Sequence, residues 1–127
     1  MLGKSKIICF CATANPAEAK VFYRDTLGLT LVEDSPFALV FDANGTMLRI
    51  QKVQNLSPAR HTTLGWEVSD INTTIKQLGT KGVRFERYDG LSQDQSGIWT
   101  TPDGSRVAWF RDPDGNTLSL TEFRKSA

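Results

Sequence analysis

Histidine is nearly absent from this chain: His61 stands alone in 127 residues. A single imidazole makes a mixed cysteine–histidine metal centre a poor reading, and no serine or cysteine pairs with a visible base. Cysteine is almost as scarce. Cys9 and Cys11 fall at i and i+2 of a predicted strand. Two residues along one strand are poorly placed for a disulfide, so they read as small buried hydrophobes. An excess of one charge is missing too. Fifteen basic and 14 acidic residues leave a net charge of +1, with no electrostatic footprint for nucleic acid or an anionic membrane. No apolar run approaches the roughly 18 residues of a membrane span. The basic start, Met1 to Lys6, precedes a segment from Ile7 to Ala14 that is too short and cysteine-rich for a signal core. A cytoplasmic protein is expected, with neither nucleic acid nor membrane as partner.

What is present is concentrated near the end of the chain. Val107 to Phe110 is β-branched and aromatic, Asp112-Pro113-Asp114-Gly115-Asn116 stacks turn formers, and Thr117, Ser119 and Thr121 alternate with Leu118 and Leu120. That is strand, tight turn, strand, and the alternation says which side chains share a face. An earlier stretch repeats it without a gap. Asn44-Gly45-Thr46-Met47-Leu48-Arg49-Ile50-Gln51 sets against Asp114 to Thr121, matching Leu48 and Ile50 to Leu118 and Leu120, and Arg49 to Ser119. An internal repeat of about half the chain follows.

Read in order, each half gives β-α-β-β-β. The first half has strands at Lys6–Thr13, Leu29–Glu33, Phe37–Phe41 and Met47–Val53, and a helix that Asn15 could cap and Gly28 ends. Residues 54–61 carry Asn55, Ser57 and Pro58 without periodicity and form a linker. In the second half, Asp70 caps a helix with Ile71, Ile75 and Leu78 on one face. Strands are expected at Thr62–Val68, Val83–Tyr88, Arg106–Arg111 and Asn116–Phe123, with a short extra one at Gly97–Thr100 after a polar loop. The expectation is one α+β domain over residues 1–127, with modules at about 6–53 and 62–123. The two modules would make a cupped, mostly antiparallel eight-stranded sheet with helices on its outer face and a cavity between the halves.

With that pattern in place, two motifs become recognisable. Asn15 to Leu29, with Phe22-Tyr23-Arg24-Asp25-Thr26-Leu27-Gly28-Leu29, resembles the first-helix signature of the vicinal oxygen chelate superfamily, and Trp109 to Asn116 resembles its most recognisable motif. That superfamily includes glyoxalase I, extradiol dioxygenases, and bleomycin- and fosfomycin-resistance proteins. The likeness runs from about Lys6 to Phe123. It implies a small-molecule cavity and, for proteins of this size, a twofold homodimer. In metal-dependent members, His, Gln or Glu ligands occupy the first and last strands of each half. The resemblance carries those four places onto Ile8, Arg49, Thr63 and Ser119. None suits a hard divalent cation, and a guanidinium repels one. No divalent metal or other cofactor is expected, although His61 lies two residues from Thr63 and shares its parity.

By parity the cavity face receives Ile8, Phe10, Met47, Arg49, Gln51, Thr63, Gly65, Glu67, Thr117, Ser119 and Thr121: apolar walls, some hydrogen-bonding groups and one fixed cation. Arg49 suits a carboxylate or phosphate, or it pairs structurally with Glu67 or another acid. Trp66 has core parity, and Trp109 could face either way. Trp99 lies beside Tyr88 and the loop Leu91 to Ser96, where a flap could cover the cavity. It could stack on a planar ligand or only pack that hairpin. Asp112 and Asp114 read as turn caps, and Glu67 or Tyr88 could do acid–base work, with nothing selecting either. The favoured function is a metal-independent protein binding a small anionic or aromatic molecule. The alternatives are a glyoxalase-like lyase, isomerase or dioxygenase acting on a small oxygenated substrate, and a protein-interaction module.

Overall fold

The computed structural model describes residues 1–125. By its internal contacts the chain divides into two units, Met1 to Ser57 and Pro58 onward. The division falls inside the 54–61 segment that lacks periodicity.

In the first unit, β1 (Ile8–Thr13) leads into α1 (Pro16–Val21), which continues as a π-helical turn over Phe22–Thr26. β2 (Thr30–Asp34), β3 (Ala38–Ala43) and β4 (Thr46–Lys52) follow, and the sheet order is β1-β4-β3-β2. In the second unit, β5 (Thr62–Glu67), α2 (Ile71–Thr80), β6 (Trp99–Thr100), β7 (Arg106–Arg111) and β8 (Thr117–Glu122) give the order β5-β8-β7-β6. Each sheet has one parallel pair, β1 with β4 and β5 with β8, and its remaining pairs are antiparallel. The α+β class and the repeat therefore hold, with the eight strands in two sheets of four.

The repeated stretches fold alike. Asn44 and Gly45 turn at φ 50° and 90°, and Gly115 turns at 88°. Asp42 accepts the amide of Gly45 at 2.9 Å, while the buried Asp112 accepts the amides of Asp114 and Asn116 at 2.9 Å each. These carboxylates hold their turns, as an Asx residue does, and the second oxygen of Asp112 accepts the Asn116 side-chain amide at 2.8 Å.

Each helix covers the aliphatic face of its own sheet. In the first unit Leu39, Phe41, Leu48 and Ile50 are at most 2% exposed, and Tyr23 brings its ring to 5.8 Å from Phe41. Cys9 and Cys11 pair with Leu48 and Ile50 on this face, neither in a disulfide, and Cys11 Sγ lies 4.0 Å from the Tyr23 hydroxyl. In the second unit Phe110 packs between Phe85 at 5.4 Å and Trp66 at 6.5 Å, above Leu118 and Leu120. Asp70 caps α2 by accepting the Thr73 amide at 3.1 Å. Glu122 accepts the Ile71 amide at 3.0 Å and faces Arg106, which places it opposite Ser119 as parity requires.

Two local expectations fail. Asn15 makes no capping bond with its side chain. Its amide instead donates to Thr13 Oγ1 at 2.9 Å. The segment from Val83 to Tyr88 is not a strand, and only Phe85 bridges to Phe110. A side chain supplies what a neighbouring strand would. Gln93 accepts the Tyr88 amide at 2.7 Å and donates to the carbonyls of Glu86 and Gly97 at 2.9 and 2.8 Å. The Glu86 amide then reaches Trp109 O at 2.7 Å, so this segment and β6 share one edge of β7.

Candidate functional site

In the first unit the face away from the helix is built by β1, β4 and β3. Ile8 pairs with Met47, Phe10 with Arg49, and Ala12 with Gln51, so the predicted lining residues Ile8, Phe10, Arg49 and Gln51 do share a face. Ile8, Phe10 and Met47 remain 46%, 49% and 41% exposed, an apolar display that a sheet face open to water seldom carries. Among these apolar groups Arg49 is half-buried. Its Nη1 lies 3.9 Å from Met47 Sδ, and no described carboxylate of its unit is within ion-pair distance. Beside Met47 opens a concavity of about 640 Å3, lined by Ile8, Val32, Val40 and Met47 with Lys6, Thr30 and Asp42 at its polar edge. The β2 contribution was missed from sequence. Plain alternation could not supply it, because the pairing of β2 with β3 shifts between Leu31 and Glu33, at Val32.

In the second unit, Gly65 pairs with Ser119 and Ser119 with Trp109, a row that runs from no side chain to the largest one. A register shift between Thr62 and Leu64 sets Thr62, rather than Thr63, opposite Thr117. Thr62 Oγ1 accepts the indole N–H of Trp109 at 3.1 Å, which settles the facing of Trp109. Ser119 and Thr117 are only 7% and 2% exposed, and Thr117 donates to Ala59 O at 3.3 Å. Gly65 allows this close packing, since a Cβ there would lie 2.8 Å from Ser119 Oγ. Thr63, Glu67 and His61 are exposed.

Aromatic rings gather on the same face. Trp99 pairs with Val107 in β7, and its ring lies 6.3 Å from Trp109 at 31°. Tyr88 stands almost perpendicular to Trp109, at 5.5 Å and 85°. Burial pushes the Tyr88 phenol up, the Glu86 charge adds to this, and Arg111 opposes it. A phenol raised from its usual value stays protonated at neutral pH and is a weak candidate for a base. The loop beneath is tied down rather than free to flap. Besides the Gln93 bonds, Arg87 donates to Asp94 O at 2.9 Å, and Asp94 accepts the Ser96 and Ile98 amides at 2.9 Å each.

The donor chemistry at the four family ligand places does not fit a divalent cation. Ile8 offers no donor atom, Arg49 is a permanent cation, and Ser119 and Thr63 are neutral hydroxyls. Among the described residues no three His, Cys, Asp or Glu side chains gather into a ligating group. No described helix is long and apolar enough to cross a membrane.

No curated protein matches the sequence. The structure is similar to that of a lactoylglutathione lyase from Agrobacterium tumefaciens, with a TM-score of 0.72, 21% identity and 93% of each chain covered. It is also similar to a glyoxalase/bleomycin resistance protein/dioxygenase superfamily member from Sphaerobacter thermophilus, with a TM-score of 0.69, 24% identity, and 92% and 97% of the two chains covered. TnmS3, an antibiotic-binding protein from a Streptomyces species, matches at a TM-score of 0.70 and 25% identity over 95% of this chain and 98% of its own. The family model for the Glyoxalase/Bleomycin resistance protein/Dioxygenase superfamily matches residues 9–120, spanning both units, and the protein belongs to that superfamily.

Proposed function

We propose that this protein binds a small molecule without a metal, and that Arg49 holds an anionic group of that ligand. The observation that carries the reading is the half-buried Arg49 guanidinium, set among Phe10, Val40 and Met47 with no carboxylate of its own unit to neutralise it. Arg49 has no acid of its own unit at ion-pair distance, and an arriving carboxylate or phosphate would give it paired, charge-assisted hydrogen bonds. The adjacent concavity of about 640 Å3 has the size and apolar walls of a small-molecule site. Binding rather than turnover is favoured because, among the described residues, neither a nucleophile–base pair nor a metal-ligand set accompanies the cation. TnmS3, similar in structure, is an antibiotic-binding protein, which points the same way.

The test is calorimetry on chelator-treated protein titrated with cyclohexanecarboxylate and with inorganic phosphate. Binding that survives chelation and weakens roughly 10- to 100-fold in Arg49→Ala supports the reading, because a hydrogen bond to a charged group contributes about 1.5–3 kcal/mol. Binding that appears only after a divalent metal is added overturns it and turns the protein into a lyase or dioxygenase candidate.

A further inference from the structure

We propose that Trp109, Trp99 and Tyr88 form a preassembled aromatic corner that binds flat, π-conjugated ring systems by stacking. The inference rests on the small-molecule reading above and names a second chemical class for it, argued from residues of the second unit alone.

The geometry of Trp109 is the starting point. It sits on β7, while its hydrogen-bond acceptor Thr62 sits on β5, with β8 between them. Two strand spacings are about 10 Å, so the indole must lean over β8 to make a 3.1 Å bond. The residues it crosses are small: Thr117 and Ser119, with Gly65 beyond them, and the first two are buried as a covering ring requires. An indole laid along a sheet turns one face to the sheet and the other outward. Its only polar atom is already satisfied by Thr62, so the outward face asks for apolar, stacking contact. Trp99, tilted by 31° at 6.3 Å, extends this floor. Tyr88, at 85°, makes a wall. All three rings keep part of their surface open.

Two further features select the ligand class. The corner is rigid before anything binds, since the Gln93 amide fixes Tyr88 through its backbone and Gly97 close to Trp99. Little ordering is then left to oppose association. The charges beside Tyr88 also cancel, because Glu86 and Arg111 pair at 2.9 Å. Shape and π-surface therefore discriminate here, and charge does not.

The experiment compares two neutral alcohols, 2-naphthalenemethanol and its fully saturated decahydro analogue, by calorimetry and tryptophan fluorescence. The aromatic alcohol should bind about tenfold more tightly, with quenching, in line with the strength of aromatic pairs. The preference should vanish in Trp99→Leu and shrink in Trp109→Phe, each checked for an unchanged far-ultraviolet spectrum. Equal affinity for the two alcohols, or a preference that survives both substitutions, overturns the corner. If that happens while cyclohexanecarboxylate still binds in an Arg49-dependent manner, the anion reading stands and only the corner falls. If neither alcohol nor the carboxylate binds, both fall.

Discussion

Replacing Gln93 with alanine should destabilise the second unit by about 2 kcal/mol. The side chain makes three hydrogen bonds, to Tyr88 N, Glu86 O and Gly97 O, at 2.7, 2.9 and 2.8 Å. At a net contribution of about 1 kcal/mol each, their loss sets a ceiling of about 3 kcal/mol. Gln93 is only half-buried, so water can rescue some of the orphaned groups and the loss falls below the ceiling. For a chain of this length, about 2 kcal/mol lowers the melting temperature by roughly 7 °C. Gln93→Glu is the sharper probe. Its carboxylate can still accept the Tyr88 amide but cannot donate, and it sets a negative oxygen against two carbonyls. It should lose as much as alanine or more. Urea unfolding followed by tryptophan fluorescence measures both variants, and near-ultraviolet dichroism reports whether the Tyr88, Trp99 and Trp109 rings have moved. If both variants stay within 0.5 kcal/mol of the parent with an unchanged aromatic spectrum, Gln93 does not hold this loop and the argument is wrong.

Other outcomes follow from the same structure. Phe110→Ala, at a site fully buried between Trp66 and Phe85, should cost about 3–5 kcal/mol in a chemical melt. Arg49→Ala should leave stability within about 0.5 kcal/mol, since no ion pair within its unit is lost, and a larger drop would reveal a structural role. Gly65→Ala should destabilise by about 1 kcal/mol by crowding Ser119 Oγ, and Ser119→Ala in the same chain should restore most of it. Hydrogen bonds from Lys52 and Lys20 hold the Asp34 carboxyl below its ordinary range, and the backbone and side chain of Thr73 do the same for Asp70. Lowered folded-state values contribute stability above the unfolded carboxylate range of about 4, and that contribution disappears as pH falls through the folded values. Urea midpoints should therefore drop on acidification below about pH 4, and less steeply in Asp34→Asn.

Much of the architecture was legible because period and punctuation agree along the chain. The repeat of Asn44–Gln51 in Asp114–Thr121 fixed which side chains share a face, and the register of β1, β4, β7 and β8 keeps those faces. What escaped had a cause that alternation does not encode. Val83–Tyr88 has strand composition, but a glutamine amide several residues later takes over the ladder on one side of it. The shift at Thr62 is a property of pairing, and composition gives no sign of it. Trp109 had no determinable facing until Thr62 was known to accept its N–H. The shared face of Ile8, Phe10, Arg49 and Gln51 in the first unit was readable from strand alternation. The aromatic corner was not, because its three rings come from three separate segments.

The most direct test of the central claim is metal content: elemental analysis of the purified protein, with calorimetric titration of nickel, zinc, manganese and iron. A metal-independent binder should show no stoichiometric metal and no heat of specific uptake, while still binding cyclohexanecarboxylate through Arg49. One tightly held metal per chain, lost in His61→Ala, would contradict the account and place a ligand where none was assigned.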